Sequence, residues 1–276
     1  MAASSLAALW APKSVADFFT NAWPDEPFLV HGPLARLRGL ADAKELTSLE
    51  ALLEVPCRAV LAQGQHLAAD RFGNLAIEPA QVSSTLKSGA TVYFNEPKFR
   101  SRALWRWVKT LEQELALAPG TIRPSVFVSP RGRGARMHFD CTESFVVQLR
   151  GRKAWRIARN EQVPFPPVNY LEGEPVPEAL APLVKRPMKA PKKTRRVVLE
   201  AGSVLYLPRG WWHATQTLED SAHLDLLTAL PTWADTLRPL VESLFARGRH
   251  WLTPATAHAS APAMLQQLID ELSAAR

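Results

Sequence analysis

Three polar side chains in two short stretches offer a metal-binding set. His138 and Asp140 stand two apart in Met137-His138-Phe139-Asp140, and His213 ends Leu205-Tyr206-Leu207-Pro208-Arg209-Gly210-Trp211-Trp212-His213. Two imidazoles and one carboxylate form a facial ligand set, which leaves open positions on Fe(II) for oxygen chemistry. On a strand, residues i and i+2 share a face. His138 and Asp140 can therefore grip one ion together, while His213 arrives from a distant strand. The chain holds a second His-x-Asp, His223-Leu224-Asp225. If Thr228 faces inward on that strand, Leu224 and Leu226 do too, and His223 and Asp225 face out. The histidines downstream of that pair, His250 and His258, fall in or near helical patterns. The first pair is the candidate metal site.

Lys153 draws attention by its parity. Along Lys153-Ala154-Trp155-Arg156-Ile157, period two puts Lys153, Trp155 and Ile157 on one face. Arg152, Ala154 and Arg156 take the other. Lys153 thus shares an apolar, inward face, and a buried ammonium is costly unless paired. No carboxylate lies near it in sequence, so a ligand carboxylate is a fitting partner. The alternative is a lysine at a strand end whose head snorkels to water.

These residues need a scaffold of short strands. Val126–Val128, Arg136–Asp140, Ser144–Arg150, Lys153–Ala158, Arg196–Leu199, Ser203–Leu207, Trp212–Thr217 and Ala222–Leu230 all read as strands with Gly and Pro turns between them. Many short strands of this kind make a sandwich or barrel. Upstream, Ser14-Val15-Ala16-Asp17-Phe18-Phe19 reads as a capped helix start that ends near Pro24. Strands are expected at Phe28–Val30, Cys57–Ala62 and Thr91–Phe94, and helices at Ala43–Glu54 and Arg100–Leu117. Asn160 to Thr194 is proline-rich and reads as a long insert between strands. Helical patterns at Ala234–Arg247 and Ala263–Ala275 follow, and Met264, Leu265, Leu268, Ile269 and Leu272 make an apolar stripe on the second.

Composition bounds the function. With 276 residues, 47% hydrophobic and 21% charged, the chain can bury a large core and fits a soluble globular protein. Its net charge of +7 favours acidic partners, RNA or ribosomes among them, although abundant Ala and Arg also read as a compositional bias. The run Lys185-Arg186-Pro187-Met188-Lys189-Ala190-Pro191-Lys192-Lys193-Thr194-Arg195-Arg196 is a solvated loop or a contact for an acidic or RNA-associated partner. Arg131, Arg133 and Arg136 can add to it. Two cysteines, Cys57 and Cys141, argue against a disulfide framework and for a reducing compartment, so a cytoplasmic location is expected. Met1 to Trp10 carries no basic n-region, so no signal peptide is expected, and no apolar run reaches membrane-spanning length. There is no P-loop, no Gly-x-Ser-x-Gly and no dinucleotide fingerprint.

The stretch His138-Phe139-Asp140, then Gln148-Leu149-Arg150-Gly151-Arg152-Lys153-Ala154-Trp155, then Gly202-Ser203-Val204-Leu205-Tyr206-Leu207-Pro208-Arg209-Gly210-Trp211-Trp212-His213 resembles the JmjC/cupin-like 2-oxoglutarate oxygenases. It is most similar to the branch with the asparaginyl hydroxylase of hypoxia-inducible factor and the bacterial ribosomal oxygenases. The resemblance covers about Phe28 to Trp233. It implies a mainly β fold, a double-stranded β-helix (jelly roll, cupin-like) with an N-terminal α/β elaboration and C-terminal helices. The implied layout is 1–120 for the elaboration, 121–231 for the core with insert 160–195, and 232–276 for the helices. It implies His138, Asp140 and His213 as ligands to Fe(II), and Lys153 as partner of the distal carboxylate of 2-oxoglutarate. Tyr93, Ser144 and Thr228 are implied as further cosubstrate contacts; Ser144 and Thr228 stand where family members carry asparagine, and Ala135 where they carry threonine.

The implied activity is hydroxylation of an unactivated C–H on a protein or peptide side chain. The alternatives are the same chemistry on a small molecule or natural product, and a cupin-type metal enzyme without 2-oxoglutarate. The implied assembly is a homodimer through the C-terminal helices. No C-terminal winged-helix region is expected after Arg276, so the substrates of the ribosomal oxygenases do not carry over by motif alone.

Overall fold

Alternation along the strands builds two antiparallel sheets with different neighbours on each face. The structure, a computed structural model, describes residues 5–37, 40, 43–46, 48–54, 60–63, 74–95, 102–252 and 261–274. Strands are numbered in chain order. The larger sheet has eight, in the spatial order β1 (Phe28–Val30), β11 (Val204–Leu207), β7 (Glu143–Arg150), β13 (Ser221–Thr228), β5 (Ile122–Ser129), β4 (Thr91–Asn95), β2 (Val60–Gln63) and β3 (Asn74–Ile77). The smaller has five: β10 (Arg195–Leu199), β8 (Lys153–Ala158), β12 (Trp212–Thr217), β6 (His138–Phe139) and β9 (Tyr170–Leu171). Among the described residues no strand joins the two sheets into a closed barrel.

The central strands of the larger sheet are buried on both faces, so β7 is apolar on both sides, while β5 and β13 turn polar residues inward. Phe145, Val147 and Leu149 of β7 and Leu224 and Leu226 of β13 pack outward against Trp10 of α1 (Ser5–Trp10), Phe18 of α2 (Val15–Asn21) and Leu111 of α5 (Arg102–Glu114). Full burial of each such side chain is worth about 1.5–3 kcal/mol. The opposite parity faces the smaller sheet, where Val146 and Leu205 meet Trp155, Ile157 and Val197. The proline-rich insert covers the far side of the smaller sheet: its Val163, Tyr170, Leu180 and Met188 pack on Phe139 and Trp212. This layering holds the β6–β12 and β8 backbones rigid from both sides.

Local expectations are met where capping chemistry was visible. Ser14 accepts from the Asp17 N–H and its own N–H donates to the Asp17 carboxylate, starting α2 with a capping box. The expected helix Ala43–Glu54 is instead two pieces, a 3-10 turn at Lys44–Leu46 and α3 (Leu49–Leu53). Ser48 splits them: its extended backbone and hydroxyl cap the Ala51 N–H, which ends one element and starts the next. Sequence periodicity did not reveal α1, β3, β9 or α4 (Val82–Lys87), all short. Of the expected strand Cys57–Ala62, the part before Val60 lies outside the described residues, as does most of the Pro254–Pro262 linker.

The chain divides into two units, Met1–Ala229 and Leu230–Arg276. The second holds α6 (Trp233–Arg247), a 3-10 turn at Arg249–Leu252 and α7 (Ala261–Ala274). Within it, Glu271 accepts from the Trp251 indole at 3.0 Å and pairs with His250 at 3.0 Å. No residue of α6 is buried, and Trp233, Leu240 and Leu265 are exposed.

Candidate active site

The three motif residues meet at one end of the sandwich interior. His138 on β6 and His213 on β12 are direct cross-strand partners, with ring centroids 4.0 Å apart. Asp140 follows β6 immediately, and its Oδ2 lies 3.7 Å from His138 Nε2 and 3.4 Å from His213 Nε2. One ligand atom from each of the three lies within 4.8 Å of the others. The backbone sets the tautomers. His138 Nδ1 is 2.7 Å from the Arg136 carbonyl and His213 Nδ1 is 3.0 Å from the Trp211 carbonyl. A carbonyl only accepts, so each Nδ1 carries the proton and each Nε2 turns a lone pair toward Asp140. That is the donor arrangement a divalent cation requires.

The electrostatics agree. Burial, and then the neighbouring His213, pull the His138 pKa down to about 4, so its imidazole is neutral at neutral pH. Burial pushes Asp140 up, but the neighbouring imidazoles, His138 first and then His213, outweigh it and hold the carboxyl at about 2. Burial also opposes protonation of His213, while the Asp140 carboxylate raises it further, and the net shift is upward. Asp140 is therefore an anion at neutral pH.

Lys153 lies deeper between the sheets. It is 3% exposed and does not snorkel out. Its Nζ donates to Ser129 Oγ across the sandwich at 3.2 Å, and Ser129 Oγ in turn accepts from Thr91 Oγ1 at 3.1 Å. His223 Nδ1 stands 3.5 Å from the same ammonium. Register adds two more hydroxyls, because Thr217 pairs with Lys153 and Ser221 pairs with Ser129. Thr217 Oγ1, Ser221 Oγ and Asp225 Oδ1 are buried without a hydrogen-bond partner. Burial drives the Lys153 pKa down to about 7, against the pull of the Asp225 charge. Burial likewise drives Asp225 up to about 7, and His223 well down.

His223 and Asp225 correct the parity argument from sequence. Both face the interior, and Leu224, Leu226 and, by parity, Thr228 face the helical layer. The parity inverts because both faces of β13 are buried: helices cover the face opposite the smaller sheet. Thr228 is therefore not brought to Lys153; its hydroxyl donates to the Leu226 carbonyl at 3.2 Å. Ser144 is on the inner face and hydrogen-bonds Asp225. Tyr93 is also inward. It stacks on Phe127 at 4.8 Å, Phe127 stacks on His223 at 5.0 Å, and Trp155 meets His223 edge-on at 6.1 Å. Of the residues missed from sequence, Ser129, Thr217 and Ser221 carry ordinary residue types with no local motif; only their register against Lys153 marks them.

A two-sheet β sandwich that gathers a candidate His-Asp-His metal set at one end has a cupin-like fold. A JmjC domain model matches residues 96–236, just over half of the 276 residues, and the chain belongs to the JmjC domain family. It is 27% identical over 242 residues to the uncharacterized protein YxbC of Bacillus subtilis, covering 85% of this chain and 73% of that one. It is 29% identical over 247 residues to human ribosomal oxygenase 1, covering 84% of this chain but 36% of that protein. The structure of YcfD, a ribosomal oxygenase from Escherichia coli, in complex with cobalt and 2-oxoglutarate aligns with TM-score 0.52 and 17% identity over 95% of this chain and 67% of that one. This last likeness is one of fold.

Proposed function

We propose that this protein is an Fe(II)- and 2-oxoglutarate-dependent oxygenase that hydroxylates a C–H on a polypeptide side chain. The observation that carries the reading is the convergence of His138, Asp140 and His213 within 4.8 Å, both imidazoles tied by Nδ1 to backbone carbonyls. Two imidazole nitrogens and one carboxylate suit Fe(II) and leave three positions for cosubstrate and dioxygen. The unpartnered hydroxyls of Thr217 and Ser221 beside the buried Lys153 ammonium suit the distal carboxylate of 2-oxoglutarate. When bound, metal and cosubstrate together turn 2-oxoglutarate and dioxygen into succinate and CO2, with the second oxygen atom going to the substrate C–H.

The protein's own part is positioning. His138 and His213 present fixed lone pairs, Lys153 sets the cosubstrate's orientation, and Trp155, Ile157, Val146 and Leu205 line an apolar interior that keeps water out. Anaerobic titration with Fe(II) and 2-oxoglutarate, followed by succinate release in air, tests the reading. Absence of iron binding by the intact protein overturns it.

The polypeptide substrate rests on the names of the relatives, ribosomal oxygenases, and on a basic surface. Lys185, Arg186, Lys189, Lys192 and Lys193 are all exposed, as are Arg131, Arg133 and Arg136. Such a surface suits an RNA-associated or acidic partner such as a ribosomal particle. Neutralising Lys189, Lys192 and Lys193 should raise KM for that substrate and leave substrate-free 2-oxoglutarate turnover unchanged. A small metabolite oxidised efficiently, with no +16 Da product on any polypeptide, overturns this choice of substrate. For assembly we infer a homodimer through the C-terminal unit, where Leu265 and Ile269 are exposed; light scattering that finds a monomer overturns it. The compartment we infer is the cytoplasm. No described helix is long and apolar enough to cross a membrane, and Cys141 is a free thiol.

A further inference from the structure

Two crossovers between the sheets carry the metal site, and one buried ion pair joins them. Residues 140–142 lead from β6 in the smaller sheet to β7 in the larger, and Asp140 begins that crossover. Residues 208–211 lead back from β11 to β12, and His213 lies just beyond. Arg209 Nε donates to Glu143 Oε1 at 3.1 Å, with the two side chains 10% and 5% exposed. Beside it the Gly210 N–H donates to the Asp140 carbonyl at 2.9 Å. Gly210 has φ +78°, and a Cβ there would stand 2.2 Å from the Pro164 carbonyl oxygen, so the turn is pressed between the insert and Asp140. Glu143 is three residues from Asp140, and Arg209 is four from His213.

A buried ion pair is a poor way to gain stability, since desolvation offsets much of the attraction; its best-attested use is to fix a register. We propose that Glu143 and Arg209 are positioning residues that set the spacing of Asp140 and His213, and hence the affinity and geometry of the metal site. Neither touches the metal. They act by locking the two crossovers in the short span between the last strand pairs on either side, Ser144 with Leu207 and His138 with His213. The inference rests on the reading of His138, Asp140 and His213 as a metal site.

Titration of the full chain with Co(II), read by its visible absorption, separates the two. If the unaltered protein binds no Co(II), the metal-site reading itself falls. If it binds, Glu143→Gln should weaken Co(II) affinity by about 10–100-fold, the usual cost of removing a partner that orients ligands, and should shift the visible bands. Arg209→Lys, which keeps the charge, should recover part of that loss. Replacing both residues with Met removes the unpaired charge and covers the case in which Glu143→Gln fails to fold. That double variant should match the unaltered apoprotein in thermal stability yet still bind Co(II) weakly with shifted bands. Affinity within about threefold of the unaltered protein and unshifted bands, in whichever of these variants folds, would show that the pair serves stability alone and overturn the inference.

Discussion

The two ends of the sandwich interior are built on different plans. At the proposed metal end, three candidate ligands come from two chain segments, and a single cross-strand pair, His138 with His213, brings them together. At the Lys153 end the polar groups come from five strands, β4, β5, β8, β12 and β13, and only those of β12 and β13, Thr217, Ser221, His223 and Asp225, are close in sequence. The first plan concentrates function in few residues. The second spreads it, so that each hydroxyl is worth little alone and the lysine is worth much. The difference predicts how each end fails.

The metal end should fail completely. Removing one of three ligands with His138→Ala leaves a two-point site, and iron binding and turnover should both be lost. Stoichiometric iron in that variant, by elemental analysis, would break the comparison at its strongest point. The Lys153 end should fail by degrees. Lys153→Ala strands a buried carboxylate of the cosubstrate, at a cost of about 3–5 kcal/mol, or roughly two to four decades in affinity. Iron binding should survive it. A loss below threefold, by calorimetry, means the carboxylate is held elsewhere.

The two plans also explain what could be read in advance. His138, Asp140 and His213 were visible because each stands in a local pattern, an i, i+2 pair and a turn rich in Pro, Gly and Trp, although the β6–β12 pairing that unites them is long-range. The inward parity of Lys153 was visible from Trp155 and Ile157 on its face. The sandwich itself was visible from the run of short strands after Ser125. Ser129, Thr217 and Ser221 were not, because their meeting depends on how β5, β8, β12 and β13 align. Parity on β13 was misread for the opposite reason. Leu224 and Leu226 face a helical layer whose members lie far upstream in sequence, and one-sided burial was the wrong assumption for that strand.

Charge gives a third, smaller separation. Burial holds Lys153 at about 7 in the cosubstrate-free protein. A cosubstrate carboxylate favours the ammonium form, so binding above that pH must take up a proton. Affinity for 2-oxoglutarate should thus be flat below about pH 7 and fall above it, by up to about tenfold per pH unit for each proton taken up. Asp225, raised to about 7 by burial, works in the same direction, since its ionised form repels a dicarboxylate. Lys153→Arg stays charged throughout and should remove the lysine's part of the slope. Asp225→Asn should remove the rest. An affinity unchanged between pH 6 and 9 in the unaltered protein would sink both assignments.

The smallest effect tests whether the Lys153 end is as distributed as its register suggests. Thr217→Val removes one of the two unpartnered hydroxyls beside Lys153 while keeping the side chain's shape. A hydrogen bond to a charged group is worth about 1.5–3 kcal/mol, so 2-oxoglutarate should bind about tenfold or more weakly, with iron affinity unchanged. Thr228→Val is the matched control. Thr228 is as deeply buried, but on the helical side of β13, where its hydroxyl donates only to the Leu226 carbonyl. Its loss should lower thermal stability slightly and leave cosubstrate affinity within about threefold, less than the worth of one neutral hydrogen bond. The reverse ranking, with Thr228→Val the more damaging to affinity, would mean that β13 turns its other face to the cosubstrate, and the two-plan comparison would fail with it.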